Sequence, residues 1–312
     1  MGRAEKLLQT LSFKDDVHQV EEEKASLLAK FDASWDGETE RIDVLIRVKS
    51  HIDYETPSVL PGKKSVATIA LAGDWHSNTH VAAARFLQAR DAGADVLVHV
   101  GDLGVWPGPA GARFLAALEF FAKETGIPLY FIDGNHEDFD QLDSAMRECG
   151  EHAEVGVLRP WVYHLRRGSV WHWGTTGFAA LGGAPSIDRL QRVPGRSWWA
   201  GERITQGDID RLERNTESHM QTHGDVDVLL THDAPARAPL PSRRFPLPSI
   251  IEWEAGQGRR MISQAVRITT PGLIVHGHYH ESRRYQLGPG INGLCMNMED
   301  QPGALAVIHL SS

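Results

Sequence analysis

Five short groups of residues in this chain carry side chains that bind divalent metal ions. They are Asp74-x-His76, Gly101-Asp102, Gly134-Asn135-His136-Glu137, His232 and Gly277-His278-x-His280. Imidazole, carboxylate and carboxamide together make a mixed N/O donor set of the kind that manganese, iron and zinc accept. Magnesium alone would favour an all-oxygen shell. A carboxylate can also place one oxygen on each of two ions, so a set like this suits a pair. Two ions about 3.5–4 Å apart share a water, lower its pKa towards neutrality and stabilise charge on phosphate oxygens, which is the chemistry of ester hydrolysis. The spacing adds a geometric expectation. A gap of one residue places the side chains of Asp74 and His76, and of His278 and His280, on one side of an extended segment. Trp75 and Tyr279 then face the other way or line the wall. The glycines before the ligands are expected to let the backbone turn sharply.

Each group stands at the end of an apolar run of strand length. The runs cover 66–72, 95–100, 128–132, 227–230 and 273–275. Helices are expected over 79–90, with Ser77 as its cap, over 112–124, and over 208–219 behind the capping box Thr205-Gln206-Gly207-Asp208. Strand–helix alternation argues for α/β layers with a mainly parallel central segment. In such sheets, sites form beyond the carboxyl ends of the strands, so the polar groups would meet on one edge. Further strands are expected over 161–165, 169–173, 178–181, 285–287, 294–298 and 304–310. The proline-rich stretch 234–249 reads as a long loop beside the site. Residues 1–50 differ in texture. Leu7, Leu8 and Leu11, and later Leu27, Leu28 and Phe31, give short amphipathic helix patterns, 42–48 reads as a short strand, and 54–64 as a linker. The chain is therefore divided into an N-terminal extension, 1–64, of unassigned role, and a main domain, 65–312. The extension is expected to pack on the domain or to mediate contacts.

The five groups, taken in order over about 66–310, resemble the calcineurin-like metallophosphoesterase superfamily. The resemblance implies an α/β fold of two packed mixed β-sheets flanked by helices, an α/β/β/α sandwich, here with a helical N-terminal extension. It implies two divalent metal ions, manganese first, with iron or zinc as alternatives. Asp74, His76 and His280 would hold one ion, Asn135, His232 and His278 the other, and Asp102 would bridge them. A metal-bridging hydroxide would attack phosphorus in a phosphodiester or phosphomonoester, with a nucleotide among the candidates. His136 would give the leaving group its proton, and no Ser or Cys nucleophile is required. One departure stands out. Protein Ser/Thr phosphatases of the superfamily carry an Asp three places after the bridging Asp, followed by Arg-Gly; Val105 and Trp106-Pro107 stand there. The closing His-Gly-His-Tyr-His run looks more like the phosphodiesterase-type branches. The partner that orients His136 stays open.

Composition narrows the partners. With 312 residues and 41% hydrophobic residues the chain can build one large α/β domain or two small ones. A net charge of −9 argues against a general binder of long nucleic acid. It leaves room for a small phosphorylated substrate, because bound cations reverse the local sign. Two distant cysteines, no apolar leader and no run of roughly 18 apolar residues point to a cytoplasmic protein without a membrane span. Arg189, Arg192 and Arg196 could grip a substrate phosphate, with Trp198 and Trp199 stacking on a base; the competing reading is a solvated loop anchored by its tryptophans. His99 and His276 are expected to pack or hydrogen-bond beside the ligands, and Asp133 and Glu137 to hydrogen-bond locally. His152, His164, His172, His219 and His223 have no motif around them and read as ordinary residues. A metal-dependent nuclease would need a basic stripe along 189–203 and 237–244. A silent scaffold would have lost a ligand or the catalytic His, whereas every matched position is filled. Oligomeric state is not readable.

Overall fold

The structure, a computed structural model, describes residues 3–16, 20–35, 66–150, 152–241 and 245–310. The extension forms helix α1 (Arg3–Thr10), strand β1 (Ser12–Phe13) and helix α2 (Glu21–Ser34). Strands and helices then alternate through β2 (Thr68–Ala72), α3 (Thr79–Asp91), β3 (Val96–His99), α4 (Gly108–Thr125), β4 (Leu129–Phe131) and α5 (Phe139–Cys149). Next come β5 (Val155–Arg159), β6 (Val162–Leu165), β7 (Val170–Trp173) and β8 (Thr176–Leu181). The chain continues through α6 (Gln206–Thr222), β9 (Val228–Thr231), α7 (Ser249–Thr269) and β10 (Leu273–His276), and closes with β11 (Arg283–Gly288), β12 (Ile291–Cys295) and β13 (Leu305–His309).

These strands make two sheets, ordered β1-β13-β2-β3-β4-β6-β5 and β11-β12-β10-β9-β8-β7. The run β2-β3-β4-β6 is parallel, as is β12-β10-β9-β8, while the outer strands pair antiparallel. Side-chain alternation decides the layers. In β2, Ile69 and Leu71 enter the core between the sheets, while Ala70 and Ala72 face the helices. The small alanines let α3 and α4 approach, with Phe86 and Phe121 filling the gap. On the second sheet, Leu181, Leu229 and Ile274 face Leu212 of α6 and Ile262 of α7. The result is helices, sheet, sheet, helices, the sandwich the sequence implied.

Several elements differ from expectation. Ser77 does not cap α3; it has φ 63° and stays in the loop, and Asn78 accepts from Val81 N instead. The capping box at Thr205 and Asp208 is present. Helix α5, capped by Asp138, and the 21-residue α7 were not expected. In α7, Gly256 and Gly258 interrupt the helical pattern, yet a Cβ at Gly258 would strike the Pro185 ring, so this glycine admits a neighbouring loop. The strand expected over 294–298 ends at Cys295, because the chain turns back so that Glu299 N can donate to Asp74 O at 3.2 Å. The strand expected over 42–48 and the linker 54–64 lie outside the described residues. No helix among the described residues is long and apolar enough to cross a membrane.

The described part of the extension is packed into the domain. Strand β1 pairs with β13, Leu7 and Leu11 enter the inter-sheet core, and Leu27 and Phe31 enter the core under α3 and α4. Phe31 is 2% exposed and meets the rings of Phe120 and Phe121 at 5.7 and 6.0 Å. Phe31→Ala should therefore lower the unfolding free energy by about 3 kcal/mol, the usual cost of emptying a buried phenyl site. Chemical denaturation checks this, and an unchanged midpoint would mean that α2 is a dispensable appendage.

Candidate metal centre

The carboxyl ends of both sheets meet at one edge. On the first sheet, β2 and β3 stay in register past their ends: Asp74 N donates to Gly101 O, His76 N to Asp102 O and Ser77 N to Leu103 O, each at 3.0 Å. Two contacts then cross between the sheets. His232 Nδ1 lies 2.8 Å from Val100 O, and His278 N donates to the Asp74 carboxylate at 3.0 Å. The ligand segments are not extended, contrary to the spacing argument. Asp74, His76, Asp102, His278 and His280 all adopt φ between 48° and 71°. This is left-handed backbone, disfavoured for side-chain-bearing residues, and such strain concentrates at functional sites. Nor do the glycines all serve as turns. Gly101 does, at φ 94°. At Gly134 and Gly277 the need is space, because a Cβ there would overlap the carboxylates of Asp102 and Asp74.

Asp102 is the centre of the arrangement. It belongs to two donor clusters, one with Asp74, His76 and His280, the other with His232 and His278; within each, the donor atoms lie within 4.8 Å of one another. Its Oδ2 stands 3.4 Å from His76 Nε2 and its Oδ1 3.3 Å from His232 Nε2. His280 Nε2 is 3.5 Å from Asp74 Oδ1. Backbone carbonyls fix two of the imidazoles: Asp74 O is 3.0 Å from His76 Nδ1, and Val100 O holds His232 Nδ1. Each ring thereby aims Nε2 at Asp102. Asn135 is oriented the same way. Its Nδ2 donates to Ser186 Oγ at 3.1 Å, and Glu202 holds that serine through its hydroxyl and its backbone N–H. Asn135 Oδ1 is buried with no hydrogen-bond partner, and His232 Nε2 has only the Asp102 carboxylate, 3.3 Å away. Buried polar atoms are normally satisfied, so this arrangement, beside two carboxylates, fits a pair of cations. Electrostatics agree. Burial opposes charge on His232, yet Asp102 and Asp74 outweigh it and hold the imidazole up to about 10. His278 is driven the other way, to about 3, by burial and by His232.

His136 lies at the rim, with Nε2 3.9 Å from Asp102 Oδ2. Its ring partner is Arg192, whose Nη1 and Nη2 approach Nδ1 and Nε2 to 3.0 and 2.9 Å. Arg192 is itself forked onto Asp188, with Nε to Oδ1 at 2.7 Å and Nη2 to Oδ2 at 2.8 Å. Burial lowers the proton affinity of His136, and Arg192 and His76 push the same way against Asp102. The residues that depart from the protein-phosphatase pattern are also tied in: Val105 N donates to Glu137, and Trp106 Nε1 to His136 O at 3.1 Å. Of the three arginines singled out from the sequence, Arg192 reaches the cluster. Arg189 is forked onto Glu254, which also takes Arg203, and Arg196 is exposed. Trp199 Nε1 donates to Asp140, and Trp198 lies under the Arg203 guanidinium, so the tryptophans anchor the loop.

Residues behind the cluster hold its loops. Glu137 accepts from Leu103 N, Gly104 N and Val105 N at 2.9–3.0 Å; burial and Asp102 push its carboxyl up to about 7 against those donors. Asp133 accepts from Arg167 and meets His164 Nε2 at 3.0 Å. Burial alone would raise its pKa, but Arg167 and His164 outweigh it and hold the carboxyl well below the ordinary range. His276 contacts Gly277 O and the Tyr285 hydroxyl, whereas His99 packs edge-on against Trp75. Trp75 is fully buried against Phe86, so it is core and not wall, and Tyr279 donates its hydroxyl to Asp233 at 2.5 Å. Sequence reasoning missed Ser186, Glu202, Asp188 and Arg167. Ser186 and Arg167 lie 51 and 34 positions from Asn135 and Asp133, and Glu202 and Asp188 act on these or on His136 only through Ser186 and Arg192, so no local pattern announces the contacts.

The family profile described as calcineurin-like phosphoesterase matches residues 67–282. Among solved structures, a dimetal phosphatase from Danio rerio is similar, at 14% identity over 80% of this chain and 94% of that one, with a TM-score of 0.50. A protein of Thermus thermophilus is 14% identical over 76% of this chain and 91% of its own, with a TM-score of 0.48. A comparison with curated proteins finds no match.

The Asp133 cluster gives a pH-dependent prediction. Its folded pKa lies below the unfolded value of about 3.9. The stabilisation is therefore fully present above that value and is lost as pH falls through the folded pKa. Asp133→Asn, which leaves Arg167 buried without its partner, should cost about 3 kcal/mol at pH 7. The gap to the wild type should shrink in strongly acidic solution. Denaturant titrations at neutral and acid pH measure it; a gap that stays constant would remove Asp133 from this role.

Proposed function

The chain belongs to the calcineurin-like phosphoesterase family, a family of metal-dependent phosphoester hydrolases, and from that premise we propose that it cleaves a small phosphodiester with His136 as leaving-group acid. The observation that carries this reading is the Asp102 carboxylate, set between two groups of imidazoles with His136 at its edge. Asp74, His76 and His280 would hold one ion, Asn135, His232 and His278 the other, and Asp102 both. The mixed donor set suits manganese, with iron and zinc able to occupy it. When bound, such a pair supplies Lewis-acid polarisation of the phosphoester and an activated water.

The chain's own residues do the rest. His136 delivers a proton to the leaving oxygen, and Arg192 fixes the ring for that transfer. The same guanidinium lies against His136, and Asp188 already balances part of its charge. One partly neutralised arginine suits the single negative charge of a diester better than a monoester dianion. Val105 and Trp106 in place of the acidic and basic pair of protein phosphatases favour the same substrate. A small substrate is also favoured over long nucleic acid. Arg189 and Arg203 are engaged by Glu254 and Arg192 by Asp188, so these side chains make no basic stripe. Two free cysteines fit a reducing, cytoplasmic setting.

Chelator-stripped protein given manganese should hydrolyse a chromogenic phosphodiester faster than the matching monoester. Monoester preference would move the substrate class to nucleotides or phosphoproteins, and no release from either would reduce the reading to metal binding. His136→Gln should lower kcat by roughly 10²–10⁴-fold, the range for a lost general acid, and leave metal content unchanged.

Arg192→Ala tests the pH dependence. His136 acts while protonated, so activity falls as pH rises through its pKa. Arg192 depresses that pKa, and its removal should carry the basic limb of kcat/KM to higher pH as the rate drops. A limb that stays in place would mean that Arg192 does not act through His136.

A further inference from the structure

A second group of imidazoles lies away from this centre. His219 sits in the last turn of α6 and His223 is its C-cap, so their spacing of four places both on one helix face. His172 comes from β7 and pairs with Gly177 at the start of β8. We propose that His172, His219 and His223 form a separate site for one zinc-class divalent ion.

The donor atoms of the three rings lie within 4.8 Å of one another. The rings of His172 and His223 stack at 4.0 Å between centroids, with His219 at 5.9 and 5.2 Å from them. His219 is 7% exposed, and its Nε2 is buried with no hydrogen-bond partner. A desolvated imidazole nitrogen without a partner is costly, and a metal lone-pair bond is one way to satisfy it. The Thr222 hydroxyl lies 2.7 Å from His223 Nδ1; when that nitrogen donates to it, Nε2 keeps its lone pair for an ion. Burial, then His223 and His172, lower His219 to about 4, and burial and His223 lower His172, so both are neutral ligands near pH 7. His223 is exposed, which gives an entry path and a fourth position for water. The C-terminal end of a helix also favours positive charge.

The donor set chooses the ion. Three imidazoles without a carboxylate suit zinc, cobalt, nickel or copper and disfavour magnesium and calcium. The site is also remote from Asp102. Gly177, opposite His172, lies four residues before Leu181, which pairs with Thr231 beside His232. At about 3.3 Å per residue that is roughly 13 Å, at the other end of the sheet. An ion there would clamp the end of α6 to the edge strand β7.

The test uses full-length, metal-stripped protein and cobalt as the probe. In an Asp102→Asn chain, which keeps an oxygen for the Asn135 and His136 amides and whose fold far-UV circular dichroism checks, at least one equivalent of cobalt should still bind, with the visible spectrum of an imidazole-ligated ion. Adding His223→Ala, an exposed position that should fold, should weaken that binding on the order of 100-fold or more. His172→Ala should do the same, with far-UV circular dichroism checking the fold. Against the wild type, His223→Ala should lose one zinc equivalent. Equal stoichiometry and affinity in wild type and His223→Ala would overturn the site. A wild type that binds a single ion, lost in His223→Ala, would support it while removing the dinuclear reading, so the two failures are distinct.

Discussion

The fold is organised around one buried anion. Asp102 is almost without solvent, and its Oδ1 accepts from the backbone N–H groups of Asn135 and His136, each at 2.9 Å. Removing a carboxylate from water costs several kcal/mol unless donors and opposite charge surround it. Two amides from the loop after β4, two imidazoles from different sheets and the loop fixed by Glu137 provide that surround. The position Asp102 occupies therefore dictates where β2, β3, β4, β9 and β10 must end.

That arrangement carries a conformational cost. Five of the proposed ligands hold left-handed backbone, at on the order of 1 kcal/mol each or more. The sum is comparable with the net stability of a whole domain. The compensation is spread through the apolar layers. The inter-sheet core fixes the strands whose ends carry the ligands, and the two helical cores fix the sheets from outside. The 185–203 segment acts as a brace. Ser186 positions Asn135, Asp188 and Arg192 position His136, Arg189 ties the segment to α7, and Gly258 lets Pro185 seat against that helix.

The sequence is legible where chemistry is local. Each proposed ligand is a metal-competent residue at the end of an apolar run, and both run and residue are visible in a few positions. It is not legible where the deciding contact is distant or where propensity is overruled. Asn135 needs Ser186, 51 positions away, and β1 needs β13 at the far end of the chain. Helix α7 was hidden by glycines that serve packing with Pro185. The extended geometry assigned to Asp74-x-His76 failed because alternation holds only while the strand lasts, and the strand stops at Ala72. His172, His219 and His223 read as ordinary residues because one of the three rings arrives from β7, 47 residues before His219 in the chain.

The charge of the centre and its rim bears on the order of binding. Asp74 and Asp102 inside and Asp188 at the edge are acidic, and the guanidinium of Arg192 is shared between Asp188 and His136. Such a charge pattern does not by itself attract a phosphate. Burial holds His278 and His136 towards the neutral form, whereas on His232 and His76 the carboxylates of Asp102 and Asp74 outweigh burial, so the charge those two imidazoles carry only offsets the same carboxylates. Divalent ions would reverse that sign at the one place where the donors converge. Attraction of substrate and activation of water would then depend on the same ions. Arg192 is left to orient His136, whose protonated form the proposed reaction would need and whose pKa that same guanidinium depresses. Asp188 moderates that conflict: it holds the guanidinium in place for positioning and neutralises part of the charge that would strip the proton.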